Sequence, residues 1–235
     1  MTKKRIALLL ACNILGILLL ISLHFPWAGA DSWFVLDRNV FYFFNNFLDK
    51  SDAFLYLVAS TNLRAFDAVA FLFMLAIFLY YYQKADAQGR HFLLAMGVVM
   101  LLTAIAARLV GNLIDFDRAS PTKFFFTNGE HVNLVSKLTQ LPAKDWSTTS
   151  FPSDHGMVLI LFSLYMFRYL KKRAFLAAVA VIVLFSLPRI MSGAHWITDL
   201  LVGSMSLNLI VTSWFLLTPL SDKLIHFFLR KKHWA

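Results

Sequence analysis

The chain has 235 residues, 59% of them hydrophobic and 15% charged, with a formal net charge of +9. Soluble domains carry about a quarter charged residues, so this composition excludes an ordinary soluble domain. It points instead to helices that cross a bilayer and satisfy their backbone hydrogen bonds internally. The positive charge gives no sign of a nucleic-acid partner, because its placement along the chain follows the loops of a membrane protein.

The first apolar run, 6–23, follows Lys3, Lys4 and Arg5 and contains the single cysteine, Cys12, which has no internal disulfide partner. We read it as a retained anchor. The alternative is a cleavable leader ending near Ala28-Gly29-Ala30, against which the apolar stretch is long. Residues 24–66 then form a first outer segment. From Arg38 to Val58, Phe41, Phe44, Phe47, Leu48, Phe54 and Leu55 are interleaved with Asn45, Asn46, Asp49, Lys50 and Asp52. This is the pattern of an amphipathic helix lying in the interface, or of a plain lid over the bundle. Further spans are expected at 67–83, 92–114, 156–170, 174–194 and 199–218. Residues 115–154 form a second outer segment, and a connection this long is often functional. The expected fold is all-α, one membrane-embedded domain over residues 1–235 with six transmembrane helices.

Basic residues set the direction. Lys3, Lys4, Arg5, Lys84, Arg90, Arg168, Lys171, Lys172, Arg173, Lys223, Arg230, Lys231 and Lys232 all fall on one side if six spans alternate, together with only Asp86 and Asp222. Both termini are then expected in the cytoplasm. The loop lysines Lys123, Lys137 and Lys144 lie on the other side, where they draw acidic headgroups or are simply solvated.

On that outer side three polar clusters share one depth: Arg118-Ala119-Ser120-Pro121, Pro152-Ser153-Asp154-His155, and Arg189 followed by His195 and Asp199. His195 and Asp199 are four residues apart, one turn of a helix. A carboxylate there fixes the imidazole tautomer and frees the other nitrogen as base or nucleophile. Equally, the aspartate merely caps a helix. Ser153 and Ser120 read as helix caps, and a helix start also binds anions. Arg118 and Arg189 are costly near hydrocarbon unless paired, and together they form a fork for phosphate oxygens. The set suggests phosphoryl transfer without a metal or cofactor. A zinc site from His155, His195 and Asp199 is the alternative that leaves both arginines without a role. A non-catalytic carrier with His155 and His195 as axial haem ligands is a further alternative.

These residues resemble the type 2 phosphatidic acid phosphatase family, whose signature is Lys-x6-Arg-Pro, Pro-Ser-Gly-His and Ser-Arg-x5-His-x3-Asp. Pro152-Ser153-Asp154-His155 matches the second part with Asp for Gly. Pro188-Arg189, His195 and Asp199 match the third with Pro for Ser. The first part is degraded: Arg118 is followed by Ala119, and Gly111 stands at the lysine position, leaving Arg108, Lys123 and Arg64 as candidates for the missing cation. The resemblance implies His195 as nucleophile through a phosphohistidine, Asp199 as its orienter, His155 as general acid, and Arg118, Ser153 and Arg189 as phosphate ligands. It adds Arg64 and Lys123 as candidate substrate-binding residues.

Phe41–Asn45, Thr61–Asp67, Arg118–Thr122, Phe151–Met157, Pro188–Met205 and Leu217–Asp222 further resemble the branch of that family acting between lipids in Gram-negative inner membranes. That likeness implies undecaprenyl diphosphate as donor and lipid A as acceptor. Plain hydrolysis of a lipid phosphate or of undecaprenyl diphosphate uses the same motifs and is the alternative.

Overall fold

The structure is a computed structural model. It describes residues 1–23, 32–114 and 116–230. Ala28-Gly29-Ala30, Lys231 and Lys232 lie outside the described residues. Every regular element among the described residues is helical. Five runs are long and apolar enough to cross a membrane: Lys3–Ser22, Arg64–Lys84, Ala87–Gly111, Asp154–Met191 and Asp199–Leu217. We call them, in order, α1, α4, α5, the α8–α9 run and α10. Leucines and isoleucines of α1 such as Leu8, Leu10, Ile14 and Leu18 face outward, as lipid-facing residues would.

The run Asp154–Met191 is folded back on itself. A straight helix would separate His155 and Arg189 by about 50 Å, yet both reach Asp67. The reversal is at Lys171, whose φ is +68°. It follows a turn of wider π-type helix, Met166–Leu170, that ends α8 (Asp154–Tyr165) and precedes α9 (Lys171–Met191). α5 starts earlier than the expected 92, because Asp86 caps it by accepting from the Gly89 N–H at 2.8 Å. The first turn, Ala87–Arg90, is polar and lies outside the apolar run.

The single helix expected over 38–58 is instead two, α2 (Ser32–Asn45) and α3 (Asp52–Thr61). Ser51 stops continuation by capping α3 through the Phe54 N–H at 3.3 Å. Asn45 is drawn away from its own helix to Asn133. In the second outer segment two short helices form, α6 (Pro121–Thr127) and α7 (Val135–Thr139). After α10 an amphipathic helix, α11 (Leu220–Arg230), was not anticipated. Its Asp222 accepts from Arg168 (3.2 Å) and Tyr169 (2.8 Å). This places the C-terminal helix at the reversal end of the bundle. α1 runs alongside and antiparallel to α10, with Asn13 bonded to Ser213 and Trp214 and Gly16 packed on Ser206 and Ile210, so its N-terminal end is at the reversal end too.

The two outer segments are clamped together by Asn45 and Asn133, both buried. Three bonds of 2.8–3.0 Å join them, two made by the Asn45 side chain. Asn45→Ala removes those two and leaves the Asn133 N–H and carbonyl without protein partners, at about 1–3 kcal/mol each. The expected result is a fall of roughly 5–10 °C in the unfolding midpoint in detergent. An unchanged midpoint contradicts the clamp. Beside it Phe41, Phe125 and Trp196 form a buried aromatic cluster, which ties α2 and α6 to the residue that follows His195.

Candidate active site

α4 begins, α5 ends, α8 begins, α9 ends and α10 begins at one end of the bundle, so polar residues far apart in sequence meet there. The approach to His195 is built from a helix cap. α9 is closed by Gly193, two residues past its end, whose φ is +74°. Its N–H donates to the Ile190 carbonyl and the Ala194 N–H to the Arg189 carbonyl, both at 3.0 Å. This is the paired-bond left-handed cap that favours glycine. A Cβ at this position would also stand 2.6 Å from Thr122 Cγ2. The His195 N–H donates to the same Arg189 carbonyl at 3.1 Å. The interval between Arg189 and His195 is therefore the length of a cap, and the main chain of the arginine holds that of the histidine.

His195 lies just before the helix that continues as α10, not on it. This corrects the expectation that His195 and Asp199 share a helical face. Their contact persists, with Nδ1 to Oδ2 at 3.3 Å, but the shorter partner of Nδ1 is the Ser150 carbonyl at 2.9 Å. A carbonyl only accepts, so Nδ1 carries the hydrogen, and in the neutral imidazole the lone pair is then on Nε2. Asp199 is fully buried. Its Oδ2 accepts from the Trp196 N–H at 2.9 Å, the reciprocal half of a capping box, and its Oδ1 accepts from Arg118 at 3.2 Å.

Arg118 stands behind this pair. Its Nη1 also donates to Thr198 Oγ1 at 2.7 Å and its Nη2 to Asp37 Oδ2 at 2.5 Å, and its guanidinium stacks 4.5 Å from the Trp196 ring centroid. Asp37 accepts as well from the Thr198 N–H and hydroxyl. Two carboxylates thus face the start of a helix, where its dipole favours negative charge. Burial pushes the Asp37 carboxyl above its ordinary range, while Arg118 and Thr198 act in the opposite sense.

On the other side Ser153 caps α8, accepting from the Gly156 N–H at 3.3 Å. His155 follows in the first turn, within electrostatic reach of His195. Its Nδ1 is 3.8 Å from Asp67 Oδ1. Arg189 Nη2 donates to the same oxygen. Arg189 is buried, and its Nη1 has no hydrogen-bond partner among the described residues. A buried guanidinium nitrogen without a partner is costly, and an anion beside it removes that cost. Close packing holds the wall: a Cβ on Gly203 of α10 would stand 2.7 Å from the Phe151 ring and 2.9 Å from Pro152 Cβ.

The remaining expected residues divide. Arg64 is exposed at the start of α4, one turn before Asp67. Arg108 reaches the exposed Asp154 at 3.7 Å. Lys123 lies on α6, and among the described residues its ammonium has no bond to either histidine. Ser120 does precede a helix with Pro121 in its first turn, but its hydroxyl does not cap; it accepts from the Ser147 N–H at 3.0 Å. Lys144 is an exposed loop lysine, as expected, but its main chain is anchored beside the site. Its N–H donates to the Asn62 carbonyl at 2.9 Å and its carbonyl accepts from Ser192 at 3.1 Å. Burial and then the Arg189 charge push its ammonium below the ordinary lysine range, against the pull of Asp67 and Asp154. Among the described residues no three His, Cys, Asp or Glu side chains converge so as to hold a metal ion.

The family model described as the PAP2 superfamily matches residues 114–220. Lipid A 1-diphosphate synthase of Escherichia coli (strain K12) is 46% identical over 226 residues, covering 96% of this chain and 93% of that protein. The chain belongs to the PAP2 superfamily. No solved structure matches it. The PAP2 match contains Arg118, Ser153, His155, Arg189, His195 and Asp199. Asp37, Arg64 and Asp67 come from outside the matched stretch. Asp67 and Asp37 were missed by sequence reasoning, although an aspartate in the first turn of an apolar span is itself a signal. Nothing local in the sequence marks the Ser150 carbonyl.

Proposed function

We propose that this PAP2 chain is a lipid-to-lipid phosphotransferase, moving the distal phosphate of undecaprenyl diphosphate onto the 1-phosphate of lipid A. The observation that carries this reading is an imidazole held through Nδ1 on the same site as a buried guanidinium whose Nη1 has no partner among the described residues. The near-full-length likeness to a lipid A 1-diphosphate synthase supports the choice of acceptor.

In this reading His195 Nε2 attacks the distal phosphorus while Arg189 and the Ser153 hydroxyl hold its oxygens. The bond to the bridging oxygen breaks, its electron pair stays on that oxygen, and undecaprenyl phosphate leaves, with His155 giving a proton where one is needed. An oxygen of the lipid A phosphate then attacks the phosphohistidine phosphorus. The P–N bond breaks and returns the pair to Nε2. Asp199 and Ser150 hold Nδ1–H throughout, and Arg118 holds Asp199.

The arms of the α8–α9 run are each taken as a crossing, giving six. The site then faces the periplasm of a bacterial inner membrane, with both termini cytoplasmic. The support is the charge pattern: Lys84, Arg90, Arg168, Lys171, Lys172 and Arg173 gather at the end away from the site. α2, with Val35, Leu36 and Phe43 outward, would lie in the interface.

Purified protein given undecaprenyl diphosphate is expected to form lipid A 1-diphosphate when lipid A is added, with little free phosphate. Free phosphate released equally fast with and without lipid A contradicts transfer and favours the hydrolase.

A further inference from the structure

A transfer from one phosphate to another needs two phosphate positions. In-line displacement at His195 puts the leaving group and the later acceptor at the same place, on the face of the phosphorus away from Nε2. Arg189 and Ser153 account for the transferred phosphate. The second phosphate has no counter-charge in the matched motifs, and the first-motif lysine is absent.

Cations without a carboxylate partner among the described residues do stand there. Lys144 is fixed by its main chain between the end of α3 and the end of α9, through Asn62 and Ser192. Asn62 is buried, and its side-chain amide donates to the Pro188 carbonyl at 2.8 Å, one residue from Arg189. The Lys144 ammonium acts electrostatically on His155, and it feels Arg189, Asp67, Asp154 and Arg64. Arg64 lies three residues before Asp67, on the same face of α4. Among the described residues neither Lys144 nor Arg64 has a carboxylate within 4.0 Å, and Asp67 is taken by Arg189 and His155. Four cations, Arg189, Lys144, Arg64 and Arg108, therefore share two carboxylates, Asp67 and Asp154.

We propose that Lys144, assisted by Arg64, forms a second phosphate subsite beside His155 that holds first the proximal phosphate of a diphosphate donor and then the phosphate of the acceptor. This rests on the transfer reading above and assigns the ligand as a phosphate adjoining the transferred one. Its neighbours are Asp67 and Arg64 of α4, His155 and Asp154 of α8, and Arg189 of α9.

The test is binding of two anions to the full-length protein in detergent by calorimetry: inorganic phosphate, which fills one position, and methylenediphosphonate, which fills two and cannot be cleaved. Wild type is expected to prefer the diphosphonate by about 10–100-fold, the worth of one or two charge-assisted hydrogen bonds. Lys144→Gln should remove most of that preference, Arg64→Gln part of it, and Lys144→Arg should retain it. Both side chains are exposed, and the Arg64 variant reads the subsite independently of any change that Lys144→Gln makes to its loop. Equal weakening of both anions by Lys144→Gln would place the lysine at the transferred phosphate and overturn the proposal. So would a wild type that does not distinguish the two. Transfer activity is read separately: preference for the diphosphonate without formation of a lipid diphosphate sinks the transfer reading and leaves the subsite standing.

Discussion

His195→Asn is expected to lower transfer by about 10⁴–10⁶-fold, the scale seen when a covalent nucleophile is removed. The substitution is chosen to isolate chemistry from folding. An asparagine amide can still donate to the Ser150 carbonyl, which is the 2.9 Å bond made by Nδ1. The Gly193 cap and the Trp196–Asp199 bond involve main chain on the histidine side and do not need the imidazole. The unfolding midpoint should therefore move little while turnover disappears. Residual transfer within tenfold of wild type would mean that the lone pair on Nε2 is not the attacking group.

Arg189→Met is the second large effect, a loss of about 10²–10³-fold in kcat/KM. Methionine keeps apolar volume in a buried position and removes both the bond to Asp67 and the unpartnered Nη1. The Asp67 side chain is half-exposed, so water can solvate it after the change, and the stability cost should be modest. The cap that spaces His195 uses the carbonyl of residue 189 and survives the substitution. A variant with normal kcat/KM would show that the phosphate is held elsewhere, with Arg118 the first place to look. Both terminal nitrogens of Arg118 already serve Asp37, Thr198 and Asp199, so its own removal should act through the position of Asp199.

Long apolar helices were legible because such a run has one solution in a bilayer; their ends moved by a few residues, in part where a polar cap such as Asp86 extended a helix beyond its apolar part. The break between α2 and α3 was less legible. Phe41 to Leu55 keeps a helical period across it, and what interrupts the helix is Ser51 capping forward and Asn45 bonding to a residue 88 positions away. α11 was hidden for a different reason: its basic residues read as a topology signal, and its buried Ile225 shows only once the helix is placed against α5.

In the site, Arg189, His195 and Asp199 were legible together because one cap and one helix start fix their spacing. Asp67, Asp37 and the Ser150 carbonyl were not, since each acts across 45 to 161 positions of chain. Lys144 is the same lesson in a loop. Its neighbours in sequence suggest solvent, and only the fold brings Asn62 and Ser192 to its main chain.

The most direct measurement is to quench the wild-type protein with undecaprenyl diphosphate in alkali, digest it, and locate the phosphorylated residue by mass spectrometry. The account predicts an acid-labile phosphate on the peptide containing His195, lost when lipid A is added before the quench and missing from His195→Asn. A phosphate carried at His155, or a lipid A product formed with no labelled histidine at any time, would contradict it.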